Sequence, residues 1–256
     1  MKKFVLLFVC AVGFVSFLFN RSPRSAPTPQ LPSPPISPSP AYNNGLEYFV
    51  DNQPFRVVSF IVKDPTTIRL IPNFSQKAAS LTVVQTKPCA ALTSGGFYST
   101  EGKPIGLFIV EGKQRSSFQT NALFNGFFSV NASGKAIIGN EVPDNASAFA
   151  LQSGPMLVTD GITRKLVIRN DEPARRIVVV QTSDNSIVFL ALYSRENTFE
   201  GPKLAEVPKH LIEIEKFLGI SITNALNLDG GSASAFITKD ASLTELTPVG
   251  SFFCIQ

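Results

Sequence analysis

Short apolar runs rich in Val, Ile, Phe and Leu recur along this chain, separated by clusters of Gly, Asn, Asp and Pro. That is the pattern of strands joined by turns. It predicts strands at Arg56–Lys63, Thr67–Ile71, Ile105–Glu111, Ala136–Ile138, Pro155–Val158, Ile177–Gln181, Ile187–Leu192, Thr223–Leu228, Ala233–Ile237 and Ser251–Ile255. The apolar runs either side of Ser183-Asp184-Asn185-Ser186 read as a hairpin with a tight turn. Helical spacing is clear once: from Pro208 to Leu218, Leu211, Ile214 and Leu218 share a face, with Glu213, Glu215 and Lys216 outside. Pro208 suits a first turn, and Gly219 a left-handed stop. A weaker helix falls at Ser75–Lys87, where Thr and Val keep a strand in competition. His210, beside the apolar stripe, reads as a partly exposed structural residue. The fold class is α+β, a strand-dominated single domain with a mixed sheet and few helices.

The first forty residues follow other rules. Lys2 and Lys3 precede an uncharged apolar run, Phe4 to Phe19, and positions 23–40 hold eight prolines among eighteen. The first block (1–22) reads as a signal peptide or a membrane anchor. The second (23–40) reads as a Pro/Ser-rich, semi-rigid spacer. The folded domain is then 41–256, working in the periplasm or outside the cell, with residues 4–19 as the membrane contact. Four of the chain's 23 basic residues (Lys2, Lys3, Arg21, Arg24) sit in the first forty positions, and none of its 19 acids does. The domain is thus balanced at 19 against 19, which argues against nucleic acid as a partner. One histidine in the whole chain excludes His-rich metal sites and leaves little room for a Ser–His triad. No acidic cluster calls for a metal, and no cofactor is expected.

Cys89 and Cys254 are the domain's two cysteines. In an oxidising compartment they can close a disulfide, adding about 4–5 kcal/mol in the chain-entropy account; two free buried thiols are the alternative. Asn-x-Ser sequons begin at Asn20, Asn73, Asn131 and Asn145, and matter only in a host that glycosylates.

Candidate chemistry gathers at four clusters. Asn227-Leu228-Asp229-Gly230-Gly231-Ser232-Ala233-Ser234 follows a strand. Residues two apart on a strand share a face, so Asn227 and Asp229 would emerge together. Gly230 and Gly231 would let a ligand approach the main chain, with Ser232 beside them. A plain Asp-Gly hairpin is the competing reading. Arg175 and Arg176 could grip phosphate, or simply sit solvated at a strand end. Ser94-Gly95-Gly96-Phe97-Tyr98 sets a small hydroxyl and two glycines before aromatics that suit a sugar ring or a core. Gln152-Ser153-Gly154-Pro155 reads either as binding residues or as a turn entering a strand.

Taken in order, Gly95-Gly96-Phe97-Tyr98, Ser153-Gly154-Pro155, Arg175, Gly219 and Asn227-Leu228-Asp229-Gly230-Gly231 resemble the motifs of the phosphodiester glycosidase family over roughly Ala90 to Phe236. The departures are Ser94 for the usual Asn, Arg176 for Thr or Ser, and Ala233 for one serine. The resemblance implies an exported hydrolase that cleaves a sugar-1-phosphodiester and releases sugar and a phosphomonoester. It implies Asp229 as the carboxylate at the anomeric centre and Arg175 as the cation on phosphate. Substrate contacts would come from Ser94, Gly95, Gly96, Gln152, Gly154, Arg176, Asn227, Gly230, Gly231 and Ser232. The alternative is a non-catalytic envelope module that holds a sugar-phosphate polymer.

Overall fold

Turn chemistry builds this molecule from antiparallel hairpins. Asp51 and Asn52 both take positive φ, 49° and 63°, and fold β1 (Leu46–Val50) back on β2 (Gln53–Val62). The structure is a computed structural model that describes residues 45–144 and 146–256. The expected leader and spacer lie outside the described residues, as do the sequons at Asn20 and Asn145. Among the described residues, no helix is long and apolar enough to cross a membrane.

After β2 come β3 (Ile68–Pro72), the short helix α1 (Ser80–Thr86), β4 (Ala91–Ser94), β5 (Phe108–Val110), β6 (Lys113–Ser116), β7 (Gly126–Val130) and β8 (Ala136–Gly139). Then follow β9 (Phe149–Ser153), β10 (Met156–Thr159), β11 (Ile162–Thr163), β12 (Arg176–Thr182), β13 (Ile187–Ser194) and the longer helix α2 (Val207–Leu218). The chain closes with β14 (Ile222–Asn227), β15 (Phe236–Ile237), β16 (Ser242–Leu243) and β17 (Ser251–Ile255).

The strands form three sheets: β1-β2-β13-β12-β14-β10-β11, β16-β15-β4-β17-β3, and β6-β5-β9-β7-β8. The β12–β13 hairpin forms as expected, with Gln181 opposite Ile187. Every pairing among the described strands is antiparallel, so the mixed sheet expected from sequence does not form. The reason lies in the helical crossovers: α1 links β3 to β4, which run the same way, but β17 lies between them and pairs antiparallel with both. Helix α2 links β13 to β14, which run the same way, but β12 lies between them and pairs antiparallel with both.

Alternation along β12 divides the interior. Ile177 and Val179 face a core shared with the other two sheets, where Phe128, Phe149, Phe189 and Phe253 stack with ring centroids 5.2–6.0 Å apart. Val178 and Val180 face Val207, Leu211 and Ile214 of α2. Gly219 ends α2 at φ 64°, as expected. His210 differs from expectation. It is 2% exposed, its Nδ1 lies 2.9 Å from the Tyr48 hydroxyl, and its ring meets Phe55 edge-on at 4.5 Å. The cause is position: α2 lies on the sheet, and β1 and β2 close over the helix's first turns. Cys89 and Cys254 are joined by a disulfide that ties the last strand to the approach to β4. Asn73 is buried, and its Nδ2 donates to the carbonyls of Ala78 and Val249, so that sequon is closed to a glycan.

Candidate active site

One strand from each sheet ends at the same place. β4 runs into Gly95-Gly96, β9 into Gly154-Pro155, and β14 into Leu228-Asp229-Gly230. Main-chain bonds tie the three ends together. Asp229 N–H donates to Gly95 O (2.9 Å), Gly154 N–H to Asn227 O (3.1 Å), and Asn227 N–H to Pro155 O (3.1 Å). Two hydroxyls add to this. Ser94 Oγ donates to Asp229 O, and Ser153 Oγ to Asn227 O, each at 2.7 Å. Gly95 N–H and Gly96 N–H are held by Ser251 at the start of β17. After Asp229 the chain enters a short turn, Gly231–Ala233, and then joins a different sheet as β15. The plain Asp-Gly hairpin is therefore excluded.

The glycines here answer to close approach. A Cβ on Gly230 would lie 2.5 Å from the Arg175 carbonyl oxygen, and one on Gly154 would collide with the Leu123 carbonyl. Gly231 carries φ 62° and donates its N–H to Arg175 O at 2.7 Å.

Asp229 sits within this collar with 8% of its surface exposed. Burial holds its carboxyl well above the usual carboxylate range, and the Gly230 N–H pulls the other way. Tyr98 is its aromatic neighbour. Burial and then the Asp229 charge raise the Tyr98 phenol, whose hydroxyl donates to Pro248 O.

Arg175 is fully buried beside the same loop. Nε donates to Ser234 Oγ at 2.8 Å, and Nη2 to the carbonyls of Ser234 and Thr244. The guanidinium lies 4.9 Å from the Phe199 ring centroid. Burial lowers its pKa to about 10, against the nearby Glu245 carboxylate. Nη1 has no hydrogen-bond partner among the described residues. Arg175 and Asp229 thus lie along one loop, Asp229 at its start and the Arg175 side chain on Ser234 further on. Arg176 does not. It shares its face of β12 with Val178 and Val180, and bonds Pro202 O, Glu172 O and, at 3.4 Å, Asp171. Successive strand residues point opposite ways, and that separates the two arginines.

Gln152 also departs from expectation. Its Oε1 accepts from the N–H groups of Leu107 and Gln119, and its Nε2 donates to the carbonyls of Gln119 and Phe124. Its amide capacity is fully used by the main chain, so it braces the 117–125 loop. The Ser94 hydroxyl is likewise spent on Asp229. Asn227 donates Nδ2 to Gly154 O at 2.9 Å, while its buried Oδ1 has no partner among the described residues. Ser232 is exposed, with Oγ 3.3 Å from the Thr247 hydroxyl. Sequence reading missed Ser251 as a support, and missed Phe124, which packs on Phe97 with ring centroids 4.8 Å apart. Ser234, noted in the sequence as one more hydroxyl of the motif, is the group that holds Arg175 Nε.

The fold has relatives among solved structures. The chain superposes on the catalytic domain of zebrafish N-acetylglucosamine-1-phosphodiester alpha-N-acetylglucosaminidase, auto-inhibited by its pro-peptide, with TM-score 0.58, 15% identity, and 79% of this chain and 83% of that one covered. A hypothetical protein from Synechocystis matches with TM-score 0.60, 15% identity, and 82% and 61% coverage. A Burkholderia pseudomallei K96243 protein described as exported matches with TM-score 0.53, 12% identity, and 80% and 74% coverage. These likenesses are of fold. No curated protein matches the chain at the sequence level. The sequence profile of the phosphodiester glycosidase family matches residues 87–255, which takes in all three converging strand ends, and the chain belongs to that family.

Proposed function

We propose that this protein is an exported hydrolase of a sugar-1-phosphodiester, with Asp229 acting at the anomeric carbon. Water supplies OH to the sugar, the bond from C1 to the bridging oxygen breaks, and the phosphomonoester leaves with that oxygen. The carboxylate stabilises the oxocarbenium-like centre as it forms. Phosphate leaves more readily than a sugar alcohol, so one carboxyl can serve where most glycosidases use two.

The observation that carries this reading is the buried Asp229 carboxyl within a collar of three glycine-bearing strand ends, in a chain of this family. Two further features support it. Arg175 Nη1 is a buried donor and Asn227 Oδ1 a buried acceptor, both unpartnered among the described residues. Each such group costs about 1–3 kcal/mol when unsatisfied, so each calls for a partner. A phosphate oxygen would meet the first and a sugar hydroxyl the second. The Cys89–Cys254 disulfide supports work in an oxidising compartment.

The test is hydrolysis of a methyl phosphodiester of N-acetylglucosamine 1-phosphate. Asp229→Asn abolishes turnover while the protein stays folded; a folded variant with full activity refutes the role. The second reading, a module that holds a sugar-phosphate polymer without cutting it, is favoured by one observation: the Ser94 and Gln152 side chains are committed to the fold. Saturable retention by the wild-type chain without product would support it.

A further inference from the structure

The loop at 117–125 is braced far more firmly than its exposure suggests. Gln152 Nε2 donates to Gln119 O (2.6 Å) and Phe124 O (2.7 Å), and Gln152 Oε1 accepts from Gln119 N–H (3.1 Å). Asn121 Oδ1 accepts from the N–H groups of Leu123 and Phe124, and Asn125 Oδ1 from Met156 N–H. Phe118, at the loop's start, packs on Phe127. Yet Leu123 remains 37% exposed, and Phe124 is only half-buried, tilted 39° against the half-buried Phe97. A fixed backbone therefore holds these apolar side chains side by side and partly open to water.

This surface adjoins the site from a definite side. Phe97 lies two residues past Gly95, whose carbonyl accepts from Asp229 N–H. Leu123, Phe124 and Asn125 lie against Gly154, whose carbonyl accepts from Asn227. The lip thus meets the 227–229 side of the loop, while Arg175 engages 231–234. We infer that Phe97, Leu123 and Phe124 form an apolar lip on which the sugar ring of the substrate stacks. This rests on the hydrolase reading. In this placement the phosphate lies toward Arg175 Nη1, the anomeric carbon at Asp229 and the ring over Phe124. The C–H face of a pyranose covers the aromatic pair, and burying that apolar area favours binding.

The chain contains no tryptophan, so Phe124→Trp introduces a single indole that reports on the lip alone. The full chain carrying Asp229→Asn and Phe124→Trp is titrated with the methyl phosphodiester of N-acetylglucosamine 1-phosphate, and separately with phenyl phosphate, which has no sugar. The expected result is a saturable emission change with the first and none with the second. In the active chain, Phe124→Ala raises KM about two- to tenfold with kcat little changed. If phenyl phosphate moves the indole as strongly, the lip holds the aglycone and the inference is overturned. Should Phe124→Trp fail to fold, Phe97→Trp takes its place. Wild-type turnover with a silent indole overturns the lip and leaves the hydrolase standing; a sugar-dependent indole response without turnover does the reverse.

Discussion

A carboxyl group buried to the extent of Asp229 destabilises its own fold once it ionises. Its folded pKa lies above its unfolded one, so the fold is favoured by low pH at this residue. That advantage fades as pH rises from about 4 through the folded value. Asp229→Asn therefore stabilises the protein at pH 7, by about 2–4 °C in Tm per kcal/mol relieved, and loses this advantage below pH 4. Thermal unfolding of both proteins at the two pH values checks it; equal midpoints at pH 7 would contradict it. The same shift fixes the sign of the activity profile. A reaction that needs the carboxylate falls off in acid at a pH above the ordinary aspartate range. Residue identity at this site was legible because Asn227, Asp229 and the glycines stand in one short motif. The roles of Gln152 and Arg176 were not, because hydrogen-bond saturation and strand facing are properties of the folded neighbourhood. Gln152 looks the same in a sequence whether its amide faces a ligand or four main-chain groups.

At the scale of elements, the period of the hydrophobic pattern decided what could be read. Helix α2, the β12–β13 hairpin and β17 were evident, since each combines a clear run with a clear stop. β4, β7 and β9 were missed because polar and small residues interrupt their short apolar runs: Thr93-Ser94 in β4, Gly126 and Ser129 in β7, Gln152-Ser153 in β9, the last resembling a turn. β1 was missed because the Asp51-Asn52 turn went unread. The contact between α2, β1 and β2 also makes a prediction. Burial lowers the His210 pKa to about 4, from an unfolded value near 6.5, with Lys209 adding to the effect and Asp51 opposing it. Its contribution to stability is complete above pH 6.5 and is lost as pH falls toward 4, at up to about 1.4 kcal/mol per pH unit. Urea unfolding of wild type and His210→Gln across that range should show curves that converge in acid. Parallel curves would remove His210 as the cause.

For the whole molecule, the site exists because three sheets deliver their strand ends to one point. β17 links this point to the disulfide: Ser251 at its start holds Gly95 and Gly96, and Cys254 near its end is bonded to Cys89. Reduction frees a loop of 165 residues in sequence separation and should lower stability by about 5 kcal/mol in the chain-entropy account. A reduced protein with an unchanged denaturant midpoint would contradict that. The sheet convergence was outside the reach of sequence reading, which supplied the motifs in order but not the pairings between segments as far apart as 74 and 155 residues. The claim that unites them is attack at the anomeric carbon beside Asp229, and isotope placement tests it most directly. The wild-type chain is given the methyl phosphodiester of N-acetylglucosamine 1-phosphate in water enriched in oxygen-18, and the products are weighed by mass spectrometry. The account predicts the heavy oxygen in the released sugar and none in methyl phosphate; heavy oxygen in the phosphate would mean that water attacks phosphorus and that Asp229 has been given the wrong task.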